Sequence, residues 1–182
     1  FVERGECAVY DFNDNVVPGS TERDRHYWRD VGTLDAYFDA SMDLISVDPV
    51  FNLYNYKWPV MSRQASSLPP AKFVHDEQGS RIGHAVSSLV SNGVIISGGE
   101  VHRSILSPKA MVHSWAQIQD SVIMHGTRVS RRARVNRAIL DKAVIVEENA
   151  EVGFDRDRDL ERGFTVTDSG ITVVPKGYVV KE

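Results

Sequence analysis

The sequence predicts a mostly β protein whose C-terminal half is a stack of parallel coils. Three observations predict it. Aliphatic residues recur every 17 positions in three columns: Leu89, Leu106, Ile123 and Leu140; Ile95, Val112, Val129 and Val146; Val101, Ile118, Val135 and Val152. Within each repeat the steps are 6, 6 and 5. Two positions before each aliphatic stands a small or slim residue: Ser87, Ser104, Ser121 and Ala138; Gly99, Ala116, Ala133 and Ala150; Gly93, Ala110, Thr127 and Val144. A fixed period of this kind marks a stacked-repeat architecture.

Six residues make one side of a triangular coil. One aliphatic per side points inward, and the small residue lets the chain turn the corner. Successive coils stack about 4.8 Å apart, like parallel strands. The inner columns then merge into one apolar core. Four coils, residues 86–153, are explicit. The hexad form resembles the hexapeptide-repeat left-handed parallel β-helix, whose hand departs from the usual right-handed crossover. A chance run of sandwich strands is the alternative, and twelve aliphatic matches weigh against it.

The elements follow in order. Residues 6–12 alternate and predict a strand, and residues 13–26, with Pro18 and Gly19, predict a loop. Residues 27–31 form a short strand or turn. Thr33 is a good N-cap. Leu34, Tyr37, Phe38, Ser41, Leu44 and Ile45 then follow helical spacing, with Asp35, Asp39 and Asp43 on another face. The helix should stop before Pro49. Trp58-Pro59 and Pro69-Pro70 mark an extended connector. After the repeats, the charge run from Asp155 to Asp159 predicts a solvated loop, and residues 171–180 restart the β pattern as a last, partial coil.

Composition narrows the function. The 182 residues suffice for one or two domains, and the net charge of −4 argues against general nucleic-acid affinity. The single cysteine, Cys7, excludes an internal disulfide and suits a reducing compartment, so a cytoplasmic location is expected. No apolar run reaches the ~18 residues of a membrane span. The chain opens on Phe1 rather than Met, which suggests that a front segment is missing.

Tyr27-Trp28-Arg29-Asp30-Val31-Gly32-Thr33, followed by an amphipathic helix, resembles a late motif of the sugar-nucleotide pyrophosphorylases. Trp58-Pro59, Leu68-Pro69-Pro70-Ala71-Lys72-Phe73-Val74, Asn92-Gly93-Val94-Ile95-Ile96-Ser97-Gly98 and Ser169-Gly170-Ile171-Thr172-Val173-Val174 follow in the same order. Together they resemble the glucose-1-phosphate adenylyltransferases of bacterial glycogen synthesis across essentially the whole chain. The resemblance implies three parts. Residues 1–50 are the end of an α/β nucleotidyltransferase domain, 51–83 a connector, and 84–182 a regulatory and oligomerising left-handed β-helix. The family's Gly-rich nucleotide loop, its sugar-phosphate lysine and its first metal-binding aspartate are not recognisable here. The isolated chain is therefore expected to be inactive, and nucleotide preference is not legible.

The resemblance also implies site residues. Asp30 matches a catalytic aspartate that holds Mg²⁺ at the triphosphate of ATP while glucose-1-phosphate attacks. By residue type alone, Asp30 is equally a turn residue bonding to its own backbone. Trp28, and less strongly Tyr27, match the glucose pocket, although core packing is the common use of such rings. Lys142 and Lys176 match positions that bind the phosphate of an allosteric metabolite. Arg134, crowded with Arg128, Arg131, Arg132 and Arg137, is a candidate to widen that anion site, against a solvated face. Pro175 departs from the commoner apolar residue before the second lysine. A homotetramer is implied as well.

His26, His75, His84, His102, His113 and His125 are scattered, and no pair has metal-binding spacing. Two competing readings remain. One is a non-catalytic regulatory or scaffold subunit. The other is a hexapeptide acyltransferase using His113 or His125 as its base.

Overall fold

Strands of two or three residues separated by tight corners dominate the chain, as the short sides of the repeat require. The computed structural model describes residues 1–60 and 67–182; residues 61–66 of the connector lie outside the described residues. Three parallel ladders form the faces of a solenoid. The first face carries Lys72–Phe73, Ile95–Ile96, Met111–Val112, Arg128–Val129, Ile145–Val146 and Val179–Val180. The second carries His84–Val86, Glu100–His102, Gln117–Gln119, Arg134–Asn136 and Glu151–Val152. The third carries Leu89–Val90, Ile105–Leu106, Val122–Ile123, Ala138–Leu140 and Thr172–Val174. This mostly β architecture is consistent with the left-handed β-helix expected from the hexads.

The inner columns are as expected in three of the four coils and shifted in the first. Leu106, Ile123, Leu140, Val112, Val129, Val146, Val101, Ile118, Val135 and Val152 are all buried. Leu89 and Ile95 are not the inward residues. Leu89 pairs with Ile105 and Ile95 with Met111, so Val90 and Ile96 face the core. The reason is one residue fewer at the Gly98-Gly99 corner. Ile96 and Val101 stand five apart where the next coils place Val112 and Ile118, or Val129 and Val135, six apart. A one-residue change in register turns each side chain to the opposite face. The small positions of that coil shift likewise, from Ser87 to Ser88 and from Gly93 to Val94.

In the first coil the predicted small residues Ser87 and Gly93 do turn the corners, with φ +49° and +76°, but in the later coils they do not. The left-handed backbone lies one position earlier, at Arg103, Lys109, Trp115, Asp120, Arg132, Arg137, Ala143 and Asn149. The small residue then fits beneath the corner. On one edge it also supplies a hydrogen-bond ladder. Ser88, Ser104 and Ser121 each donate to a carbonyl of their own coil, at 2.8, 2.7 and 2.6 Å. Each accepts from the next coil's N–H, that of Ser104, Ser121 and Ala138 respectively, at 3.1 to 3.2 Å. These buried corner groups are thereby satisfied.

Helix α1, Leu34–Asp43, begins where expected, with Thr33 Oγ1 accepting from Ala36 N–H at 3.1 Å, and it ends before Pro49. It lies on the outer side of the third face. Phe38 is buried there against Val122, Ile139 and Ile171. Thr167 Oγ1 donates to Asp35 at 3.0 Å, and Ser169 donates to the same oxygen. The face is therefore apolar on both sides, inward to the core and outward to the helix.

Two expected elements are corrected. Residues 6–12 are not a strand; they run without a ladder partner among the described residues, into a 3-10 turn at Phe12–Asp14. Unpaired, the segment has nothing to satisfy its backbone groups in a sheet. The run after Gly153 is not a loop but helix α2, Arg156–Glu161. Asp155 caps it, accepting from the N–H groups of Asp157 and Arg158 at 3.0 and 3.1 Å. Asp159 is buried and accepts from Gly153 N–H at 2.8 Å and Thr172 Oγ1 at 3.0 Å, with the Arg162 guanidinium 3.6 Å away. Gly153 has φ +80°, and a side chain there would strike the Asn136 carbonyl. After α2 the chain returns through Phe164, whose ring meets Tyr178 edge-on at 5.0 Å. The last coil, including Thr172–Val174 and Val179–Val180, then forms as expected.

Candidate functional site

Residues 27–33 run in an exposed, extended course into the capped start of α1. Asp30 Oδ1 accepts the Gly32 N–H at 2.9 Å, a two-residue side-chain turn. A Cβ at Gly32 would stand 3.2 Å from that same oxygen, so glycine keeps the turn tight. The turn reading of Asp30 is thus correct as far as one carboxylate oxygen goes, and it leaves Oδ2 free of that bond. The three-ligand clusters of His, Cys, Asp and Glu among the described residues do not include Asp30.

Trp28 projects outward, 72% exposed. Tyr27 instead packs its ring 5.2 Å from that of Phe51, on the wall of an open cleft of about 640 Å³ with Phe12, Asn55 and Trp58. Arg29 reaches back to Asp43 of α1 at 3.5 Å. The sequence-predicted front residues therefore share one exposed segment, with Tyr27 braced and Trp28 unbraced.

The two predicted lysines are brought together. Leu140 pairs with Val174, so Lys142 and Lys176 occupy equivalent corner positions on adjacent coils. Gly177 N–H donates to the Lys142 carbonyl at 2.9 Å. Pro175 is accommodated, its carbonyl accepting from Tyr178 N–H at 3.2 Å as the corner closes. Lys142 Nζ donates to Asp141 Oδ1 at 2.9 Å. That bond, the Lys142 backbone N–H and the nearby charges of Lys142 and Lys176 hold the Asp141 carboxyl below its usual range. The result is a solvent-facing edge with two ammonium groups and one internal carboxylate.

Arg134 is not on this edge. It lies on the second face, paired to Glu151 and stacked 4.5 Å from the Phe154 ring. The other arginines are also dispersed. Arg131 and Arg132 stand over Trp115 at 4.3 and 5.3 Å, and Arg132 pairs with Glu148 at 3.3 Å. Arg137 donates to the Ser169 carbonyl at 3.0 Å. Arg131 and Arg132 thus stay together at one corner, while Arg134 and Arg137 are carried to other partners along the coil.

The histidines require the opposite correction. His84 and His102, read as unrelated, meet on adjacent coils with rings 5.5 Å apart, and Glu100 joins them. Their separation is close to one coil period, which was the signal in the sequence. His113 lies on the first face, where burial and the Arg128 charge lower its pKa.

The family described as GlmU-like, C-terminal hexapeptide, matches residues 69–174. A glucose-1-phosphate adenylyltransferase of Bifidobacterium adolescentis is 58% identical over 182 residues, covering 100% of this chain and 44% of the relative. One from a Parafrankia species is 56% identical over 181 residues, 100% of this chain and 44% of its own length. One from Leifsonia xyli is 56% identical over 180 residues, 99% and 43% respectively. The chain thus spans less than half the length of these curated relatives, and it corresponds to their C-terminal portion. Among the described residues, no helix is long and apolar enough to cross a membrane.

Proposed function

For a chain that belongs to the GlmU-like, C-terminal hexapeptide family, we propose the role of C-terminal part of a glucose-1-phosphate adenylyltransferase. The full-length protein would form ADP-glucose and pyrophosphate from ATP and glucose-1-phosphate, for glycogen synthesis in the cytoplasm. The observation that carries this reading is identity of 58% along the whole chain to a protein of that name. An exposed, free Cys7 is compatible with a reducing compartment.

In that reaction a phosphate oxygen of glucose-1-phosphate bonds to the α-phosphorus of ATP, and the bond to pyrophosphate breaks. Mg²⁺, when bound, neutralises the phosphate charge that crowds such a centre. Asp30 is the residue of this chain to hold it. Magnesium takes one or two protein carboxylates and completes its shell with phosphate and water, so one acid with a free Oδ2 fits. The Gly32 N–H fixes the direction of the Asp30 carboxylate. Trp28 offers an exposed aromatic face to the C–H surface of glucose, and Tyr27, braced by Phe51, stands beside it in sequence.

The β-helix serves regulation and assembly. Lys142 and Lys176 are the proposed seat for the phosphate of a metabolite effector, as paired point charges suit such a group. Arg134, held by Glu151, would act there only after a rearrangement, so its regulatory role is the weaker proposal. The expected assembly is a homotetramer.

The test is turnover by the full-length protein, followed as ADP-glucose formation with Mg²⁺ present. Asp30→Asn should lower kcat by about two orders of magnitude or more. Activity absent from the wild type would sink the family assignment of function. Near-normal turnover in Asp30→Asn would remove only the metal role.

A further inference from the structure

His84, Glu100 and His102 form a cluster that the proposed nucleotidyl transfer does not use. Strand pairing sets His84 opposite Glu100, and His102 follows Glu100 by two residues in the same strand. Residues two apart share a face, and paired strands lie about 4.8 Å apart, so the backbone itself builds a triangle of side chains on the second face. One ligand atom from each residue lies within 4.8 Å of the other two.

We propose that this triangle is a binding site for one divalent transition-metal ion, with Zn²⁺ the best-matched common ion. Two imidazole nitrogens and one carboxylate make a borderline donor set, which suits zinc far better than magnesium or calcium. Three protein ligands leave a fourth position for water. His84 Nδ1 stands 3.4 Å from the Ile82 carbonyl, the kind of backbone partner that fixes the tautomer of a ligating imidazole. The neighbouring cations are engaged elsewhere: Arg81 with Asp76, Arg103 with Asp120 and Arg134 with Glu151. The Glu100 carboxylate is exposed and is left to a ligand. All three residues sit on ladder strands, so closure around an ion requires side-chain rotation only. A bound ion would tie the strand His84–Val86 to Glu100–His102, where the inward residue is the small Ala85.

The experiment uses the full-length protein with any affinity tag removed and metal stripped by chelation. It is titrated with ZnCl₂ by calorimetry and with CoCl₂ by visible absorption. One zinc per chain is expected at this cluster. His84→Ala and His102→Ala should each weaken that site at least about tenfold, and Glu100→Gln by less. Wild-type thermal unfolding should shift upward with zinc, and the shift should vanish in the variants. Circular dichroism checks each fold, and His102→Gln is the substitute should His102→Ala misfold. No zinc uptake, or uptake of unchanged affinity and stoichiometry in the His84→Ala, His102→Ala double variant, overturns the proposal. None of these readouts depends on nucleotidyl transfer.

Discussion

Asp35, near the start of α1, accepts a hydrogen bond from Thr167, which follows it by 132 residues, at 3.0 Å. Ser169 donates to the same oxygen. The carboxylate is thus the clasp between the segment that carries Asp30 and the last coil of the β-helix.

This clasp has a pH signature. The Ser169 hydroxyl, and then that of Thr167, lower the Asp35 pKa below its ordinary 3.8. A depressed carboxylate stabilises the fold fully above the unfolded value, and that contribution fades as pH falls through the lower folded value. Asp35→Asn should therefore melt below the wild type at neutral pH, and the gap should close in acid. A gap independent of pH would show that the charge of Asp35 plays no part.

Asp159 is the buried counterpart of this half-buried clasp. Asp159→Ala removes the carboxylate beside the Arg162 guanidinium, which keeps only the Glu151 carbonyl at 2.7 Å, and leaves the Gly153 N–H and Thr172 hydroxyl without their acceptor. Loss of one partner from such a buried set costs about 3 kcal/mol. Denaturant unfolding of the β-helix should register it as a lower midpoint; a change below about 0.5 kcal/mol would mean that water replaces the carboxylate.

His113 supplies a second pH dependence of different origin. Burial, aided by Arg128, lowers its pKa below 6.5, so its neutral form is favoured in the folded state. Between the two values the unfolded chain binds the proton more readily. Destabilisation should begin as pH drops below about 6.5 and level off beneath the folded value. His113→Gln should flatten the stability profile in that window, as followed by thermal melts across pH.

At the lysine edge, Lys142→Gln or Lys176→Gln should raise the effector concentration for half-activation about tenfold, the worth of one charge-assisted hydrogen bond. Turnover without effector should not change. Activation curves that superimpose on the wild type would place the effector elsewhere.

The solenoid was legible because its core repeats: an inward aliphatic must recur wherever one coil covers another. The same regularity misled at the first coil. Leu89 and Val90, like Ile95 and Ile96, are both aliphatic, so the missing residue at the Gly98-Gly99 corner did not break the visible pattern. Helix α2 was hidden because its buried residue is Asp159, and apolar periodicity is blind to a buried carboxylate. His84, Glu100 and His102 were missed since metal motifs are sought at short spacing, whereas a coil brings together residues about one period apart. Lys142 and Lys176 came from family likeness; the α2 excursion is inserted between their coils, so residues 34 apart stand on neighbouring turns.

The serine ladder at the third-face corner gives the stack a polarity. Each hydroxyl serves a carbonyl of its own coil and receives the N–H of the coil that follows. Replacing Ser104 by alanine would therefore orphan a donor at Ser121 and none at Ser88. Replacing Ser121 would do the same at Ala138. Among the N–H groups of the ladder, damage at one rung is felt only toward the C-terminus. Ala138, the rung without a hydroxyl, can end the series because the next N–H, that of Thr172, goes instead to the Arg137 carbonyl.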